Sequence, residues 1–267
     1  MDITLSQIFS GLALTAVAGL ATGVGSCIAF FAKRQSTRFL SCALGFSGGV
    51  MIYISLVELL AGSQSDLSQI FGKRPGALIG IAAFFGGIAL AMLIDKLVPS
   101  HENPHEVRKV EEMSSPQHAD RLIRSSKLFA LAIAIHNFPE GMAVFTSALT
   151  DPLTGISIAL AISIHNIPEG ITVSVPIYHA TGSRKKAFYY SFLSGLAEPL
   201  GALTAWAFLL PFISGALMAI IFAAVAGIMV FISFDELLPL AEEYGEHHLA
   251  IAGLVAGMLV MALTLVW

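Results

Sequence analysis

Apolar residues run along this chain in blocks of about twenty or more, separated by short polar stretches. Blocks of that length match helices crossing a hydrocarbon core of about 30 Å, whereas strands would show apolar and polar residues alternating. The pattern predicts eight helical spans, at roughly 5–32, 39–61, 75–97, 127–148, 153–178, 187–210, 213–239 and 248–267. The first is too long for a signal-peptide core and has no basic stretch ahead of it, so it reads as a retained span. The longest polar connection, Pro99 to Ser126, is too short for a soluble domain. The expected architecture is an all-α polytopic membrane protein forming one domain over 1–267, with a loop at 99–126.

Composition agrees. The chain is 267 residues long, with 56% hydrophobic and 12% charged residues and a mean hydropathy of +0.80. Soluble domains carry about twice that charge fraction. The placement of basic residues says more than the net charge of −4. Lys33, Arg34 and Arg38 fall in the first loop, and Lys96, Arg108, Lys109, Arg121, Arg124 and Lys127 surround the third. Arg184, Lys185 and Lys186 lie in the fifth, leaving only Lys73 and Arg74 on the opposite side. The positive-inside rule then makes the odd loops cytoplasmic and both termini extracytoplasmic. Cys27 and Cys42, the two cysteines, read as packing residues.

One likeness joins distant parts of the chain. Gly49-Val-Met-Ile-Tyr-Ile-Ser-Leu-Val-Glu-Leu-Leu60 in span two resembles Gly227-Ile-Met-Val-Phe-Ile-Ser-Phe-Asp-Glu-Leu-Leu238 in span seven. An even and an odd span run in opposite directions, so the match predicts inverted repeats, a common plan of secondary transporters. Spans one to three would mirror six to eight around a central pair, a 3+2+3 arrangement.

That central pair carries the chemistry. His136-Asn137-Phe138-Pro139-Glu140-Gly141 in span four recurs as His165-Asn166-Ile167-Pro168-Glu169-Gly170 in span five, differing only at the third residue. Histidine and glutamate four apart share a helix face, while asparagine points about 100° round from the histidine. Proline at the fourth place lacks an N–H and frees the carbonyl of Ile135 or Ile164, so both helices are expected to kink. Glu198, followed by Pro199, lies at similar depth in span six. Each buried carboxylate costs roughly 2.5–3.5 kcal/mol at a span centre, so such a cluster needs cations or protons to neutralise it. Imidazole, carboxylate and carboxamide ligands without thiolate suit Zn²⁺, Fe²⁺, Mn²⁺, Co²⁺ or Ni²⁺ better than Cu⁺. A proton relay built on the same groups is the alternative.

The paired hexapeptides resemble spans four and five of the ZIP family of metal transporters, and the chain is most similar to its bacterial zinc importers. The resemblance covers essentially the whole chain. It implies import of Zn²⁺, with Fe²⁺, Mn²⁺, Co²⁺ or Cd²⁺ as further cargo, through a midplane binuclear site in the bacterial inner membrane. The first metal would be held by His136, Glu140, His165 and Glu169. The second would use Asn137, Asn166 and Glu198, with Glu140 and Glu169 as bridges. Met51 matches a thioether near the first metal in some relatives, and Asn166 stands where some relatives have an acid. The resemblance also implies an elevator-like motion of spans one, four, five and six against two, three, seven and eight, and a homodimer.

The remaining polar residues have two readings. Glu58, near the outer end of span two, and Asp235 and Glu236, near the inner end of span seven, either snorkel to the interface or gather ions at entrance and exit. His179 is a candidate exit ligand. His101, His105 and His118, with Glu102, Glu106, Glu111 and Glu112, decorate the third loop, and Glu242, Glu243, Glu246, His247 and His248 the seventh. These are weak metal binders or a solvated surface. No prosthetic group, nucleotide or nucleic-acid partner is expected, and no GxxxxGK loop is present. The expected partners are divalent ions and the lipid bilayer. A proton-coupled exchanger or exporter would use the same carboxylates, whereas an intramembrane zinc hydrolase would need an open metal position and a dedicated base. HExxH is absent.

Overall fold

The computed structural model describes residues 4–31, 37–97, 116–209, 214–243 and 247–265. It is helical throughout, and five helical stretches among the described residues are long and apolar enough to cross a membrane. Helix α1 is Leu5–Phe31. Helix α2 (Thr37–Tyr53) runs through a π-helical segment, Ile54–Leu60, into α3 (Ala61–Phe71). Helix α4 is Lys73–Leu97, α5 Pro116–Thr150 and α6 Pro152–Thr181. Helix α7 (Arg184–Gly195) turns at Leu196 into α8 (Ala197–Thr204), which ends in a π-helical segment, Ala205–Leu209. Helix α9 (Gly215–Ile232) passes through a third π-helical segment, Ser233–Leu237, into α10 (Leu238–Glu243), and α11 is His247–Thr264.

The helix ends follow local chemistry. Asp151 caps α6 by accepting from the Leu153 and Thr154 amides, with Pro152 placed where a missing N–H costs nothing. Gly182, at φ +63°, closes the same helix and donates its N–H to the Tyr178 carbonyl. Ser183 and Ser214 cap α7 and α9 in the same manner. Two boundaries differ from expectation. Helix α5 begins at Pro116, inside the stretch expected as loop, because Pro suits a first turn and Ala, Leu, Arg and Lys favour helix. The second rod continues to Phe71, ten residues beyond the apolar run, where the polar turns of α3 pack on α4. Helices α5 and α6 stay continuous through Pro139 and Pro168.

The helices pack as two groups. One contains α1, α5, α6, α7 and α8, which pack on one another around α6. In the other, α2 packs on α11 and α4 on α9, and α3 and α10 join the same layer. The second group shares one apolar core, including Met51, Ile54, Phe84, Met229 and Leu237. It touches the first group mainly where α2 meets α6. Many large apolar side chains remain exposed, such as Leu78 and Phe85 of α4 and Val255 and Leu259 of α11. Such surface is unstable in water and matched to lipid.

Glycines set the closest crossings, and these recur in pairs. A Cβ on Gly49 would overlap the Leu254 carbonyl, and one on Gly257 the Phe46 carbonyl, where α2 meets α11. Where α9 meets α4, Gly227 lies on the Phe84 carbonyl and Gly87 on the Ala224 carbonyl. The step from Phe46 to Ala224 equals that from Gly49 to Gly227, and the step from Phe84 to Leu254 equals that from Gly87 to Gly257. Small residues let backbones approach and gain dispersion contacts where lipid supplies no hydrophobic drive. The π-helical segments Ile54–Leu60 and Ser233–Leu237 fall on the same part of the twelve-residue likeness. Within them Ser55 and Ser233 are both buried.

Candidate metal centre

Helices α5 and α6 bring the two hexapeptides side by side. Glu140, His165, Glu169, Asn137, Asn166 and Glu198 are all fully buried. His165 Nε2 lies 3.3 Å from Glu140 Oε1 and 4.0 Å from Glu169 Oε1, so one imidazole faces a carboxylate from each copy. The i, i+4 spacing supplies the Glu169 contact within α6, and the packing of α5 on α6 supplies the other. Glu198 enters from the first turn of α8, where Pro199 cannot donate to the Gly195 carbonyl and the rod breaks at Leu196.

Asn166 ties this carboxylate down. Its Nδ2 donates to Glu198 Oε1 and, at 2.9 Å, to the Ala18 carbonyl of α1. Both amide hydrogens are used, which directs Oδ1 away from those partners. Among the described residues Asn166 Oδ1, Glu198 Oε2 and both polar atoms of the Asn137 carboxamide find no hydrogen-bond partner. Leaving a buried polar atom unpaired costs about 1–3 kcal/mol. Buried atoms of that kind suit a polar occupant. A donor set of carboxylates, imidazole and carboxamides without thiolate is chemically suited to a borderline divalent metal. Among the described residues no three of His, Cys, Asp and Glu already form a metal cage. His165 instead contacts the carboxylates directly, contacts that an arriving ion would replace.

These observations agree with sequence comparison. Residues 99–265 match the family model described as ZIP Zinc transporter. A protein named Zinc transporter ZupT from Akkermansia muciniphila is 58% identical over 270 residues, covering all of both chains. One of the same name from Streptococcus mutans is 58% identical over 259 residues, 97% of each chain. A third, from Clostridium perfringens, is 53% identical over 275 residues, 98% of this chain and 96% of its own.

The chain belongs to the ZIP family. It is an integral membrane transporter and not an enzyme. The sequence-predicted residues outside the contacts just described fare unevenly. His136 occupies a helical position in α5 and His179 one in α6, and the side chains of both lie outside those described, as do His101 and His105 altogether. His118 falls within α5, its side chain also outside the description. Met51 is buried in the apolar core that takes in Ala161 and Ile164, the turn of α6 before His165.

Glu236 is a correction to the snorkelling reading, because its side chain is buried in the π-helical segment after α9. Packing of that segment on α2 encloses it, a contact hydropathy cannot foresee. Asp235 and Glu58 are half-buried, and Glu58 lies well inside the α2–α3 rod because that rod is longer than expected. His247 Nδ1 pairs with Glu242 Oε1 at 2.8 Å on an exposed surface. Two contributors were missed by sequence reasoning: the Ala18 carbonyl that fixes Asn166, and Ser47, whose hydroxyl donates to the His165 carbonyl at 3.4 Å from the other helix group. Backbone acceptors leave no sequence signal, and a serine in a span reads as neutral.

Proposed function

We propose that this protein is a secondary transporter that imports Zn²⁺ across the bacterial inner membrane. Fe²⁺, Mn²⁺, Co²⁺ and Cd²⁺ are further cargo within reach of the same donors. The observation that carries this reading is the burial of Glu140 and Glu169 against His165, with buried Glu198 bonded to the neighbouring Asn166, in an apolar helix bundle. Such a cluster is worth its electrostatic cost only where cations or protons neutralise it, and the imidazole and carboxamides beside the carboxylates favour a metal cation. The zinc-transporter names of the full-length relatives support the choice of metal.

The site has two ion positions in this reading. His136, Glu140, His165 and Glu169 hold the first, and Asn137, Asn166 and Glu198 the second, with Glu140 and Glu169 bridging. The chain crosses the membrane eight times with both termini extracytoplasmic, as the distribution of lysine and arginine favours. The paired glycine crossings and the matching π-helical segments support a 3+2+3 plan of inverted repeats. Alternating access is elevator-like: the group of α1 and α5–α8 slides against the group of α2–α4 and α9–α11. The division of the packing into these groups supports that motion, and the second group serves as the homodimer scaffold.

The test is ⁶⁵Zn uptake by purified protein in proteoliposomes, at several imposed pH gradients, beside the Glu198→Gln variant. Zinc should accumulate in wild-type vesicles, and Glu198→Gln should change metal preference or rate more than it abolishes zinc entry. Zinc leaving only against an inward proton gradient would identify an exchanger instead.

A further inference from the structure

The surroundings of the two hexapeptides are related by a regular exchange of helices. Glu198 of α8 has its carbonyl where a Cβ on Gly141 would lie, and three residues on, Gly201 packs on the Phe138 carbonyl. Around the second copy, Thr22 of α1 has its carbonyl where a Cβ on Gly170 would lie, and three residues on, Gly25 packs on the Ile167 carbonyl. Gly141 and Gly170, and likewise Phe138 and Ile167, are matching places in the two hexapeptides. Gly19 and Gly195 complete the pattern, since each lies on the other's carbonyl, and both stand three residues before Thr22 and Glu198. The exchange that maps α6 on α5 therefore maps Thr22 on Glu198 and Asn137 on Asn166.

The hydrogen bonding is consistent with this exchange and leaves one half of it unfilled. Asn166 donates to Glu198. Its counterpart Asn137 has no hydrogen-bond partner among the described residues, and neither does the hydroxyl of Thr22; both residues are fully buried. Thr22 Oγ1 faces Gly195, so that a Cβ there would stand 3.0 Å away. Two neutral, oxygen-bearing groups thus lie unsatisfied at the place equivalent to the Asn166–Glu198 pair. A hydroxyl and a carboxamide with nothing to bind, at a polar site, call for an ordered water or an ion's hydration shell.

We propose that Thr22 is a specificity-determining residue of the metal centre, supplied by α1 as the counterpart of Glu198. With Asn137 it forms a neutral oxygen wall that holds a water ligand of the bound ion opposite the charged Asn166–Glu198 wall. The asymmetry draws the ion toward Glu198, while the water held by Thr22 and Asn137 favours ions that keep oxygen ligands, such as Mn²⁺, over those satisfied by imidazole. The inference rests on the reading of this cluster as the metal site.

The test is a double-mutant cycle on full-length protein in detergent, with Thr22→Val, Asn137→Ala and both, and Thr22→Ser as the conservative control. Zn²⁺ and Mn²⁺ dissociation constants are measured by calorimetric competition, with thermal midpoints recorded for each variant. Thr22→Val should weaken Mn²⁺ on the order of tenfold and Zn²⁺ much less, while Thr22→Ser keeps wild-type affinities. The double variant should lose no more than the larger single one, because both side chains serve the same water. Unchanged Mn²⁺ affinity in Thr22→Val, or full additivity with Asn137→Ala, overturns the proposal while leaving the metal site standing. Wild-type protein that binds neither metal, or His165→Ala that binds both as wild type does, overturns the metal-site reading and this proposal with it.

Discussion

His136–Gly141 leans on α8 and His165–Gly170 on α1, although the two hexapeptides differ in a single residue. The first copy therefore has a carboxylate-bearing helix at its glycine, and the second has a threonine. Asn166 spends both amide hydrogens on neighbours, whereas Asn137 meets none among the described residues. Identical local chemistry has been given unequal work by the helices around it. In the proposed function the two copies are halves of one centre, with Asn166 anchored and Asn137 without a side-chain partner among the described residues.

The largest effect is expected from removing one carboxylate at a time. If the copies are halves of one site, Glu140→Ala and Glu169→Ala should each lower zinc uptake by about 100-fold or more, and combining them should cost little further. Half the wild-type rate in either single variant would mean two independent sites.

The glycines sharpen the contrast. Alanine at Gly141 or Gly170 forces a helix apart, at an expected cost of about 1–3 kcal/mol each, visible as a lowered thermal midpoint in detergent. Their functional consequences should differ, because Gly141→Ala displaces the backbone of Glu198 and Gly170→Ala that of Thr22. Metal competition should show a loss of overall affinity in the first and a shifted Mn²⁺/Zn²⁺ ratio in the second. Identical profiles would count against unequal walls.

A smaller effect separates the asparagines. Asn166→Ala deletes two buried hydrogen bonds and should destabilise metal-free protein by about 1–3 kcal/mol. Asn137→Ala deletes none among the described residues and should leave the metal-free thermal midpoint nearly unchanged. Equal shifts in the two variants would show that Asn137 has a structural partner after all.

The smallest effect lies at the entrance to the second copy. Asp151 holds the first turn of α6, and bonds from the Thr154 hydroxyl first, then the Thr154 amide, keep its carboxyl below the usual range. A lowered folded value means the cap's contribution is complete above the ordinary aspartate range and fades as pH falls through the folded value. Amide exchange in the first turn of α6 should be faster in Asp151→Ala than in wild type at neutral pH. The difference should close in strong acid, and a gap that persists there would rule out the ionised cap.

Much of this molecule was legible before folding. Long apolar runs announced helices in a membrane, because no other single-chain element satisfies its backbone in lipid except a closed barrel. The hexapeptides and Glu198 marked the buried polar cluster, whose proposed occupant is a cation because charge at that depth demands compensation. The likeness of spans two and seven reappeared in the structure as matching π-helical segments. The expected pairing of α1 with the α7–α8 rod had no residue register in the sequence, since Thr22 and Glu198 share no chemistry and only glycines mark it.

Hydropathy and spacing alone determined that the chain is helical and that it lives in lipid, and they marked the duplicated motif that we propose binds a cation. They act along a single helix, through the i, i+4 geometry of a face and the transfer energy of its side chains. Tertiary structure decided which helix each copy meets, that Glu236 is buried, and that Asn166 is held by a backbone carbonyl while the side chains of Asn137 and Thr22 meet no hydrogen-bond partner among the described residues. Those outcomes depend on contacts between residues far apart in the chain, set by where glycines let two backbones touch. A hydropathy pattern contains no term for that.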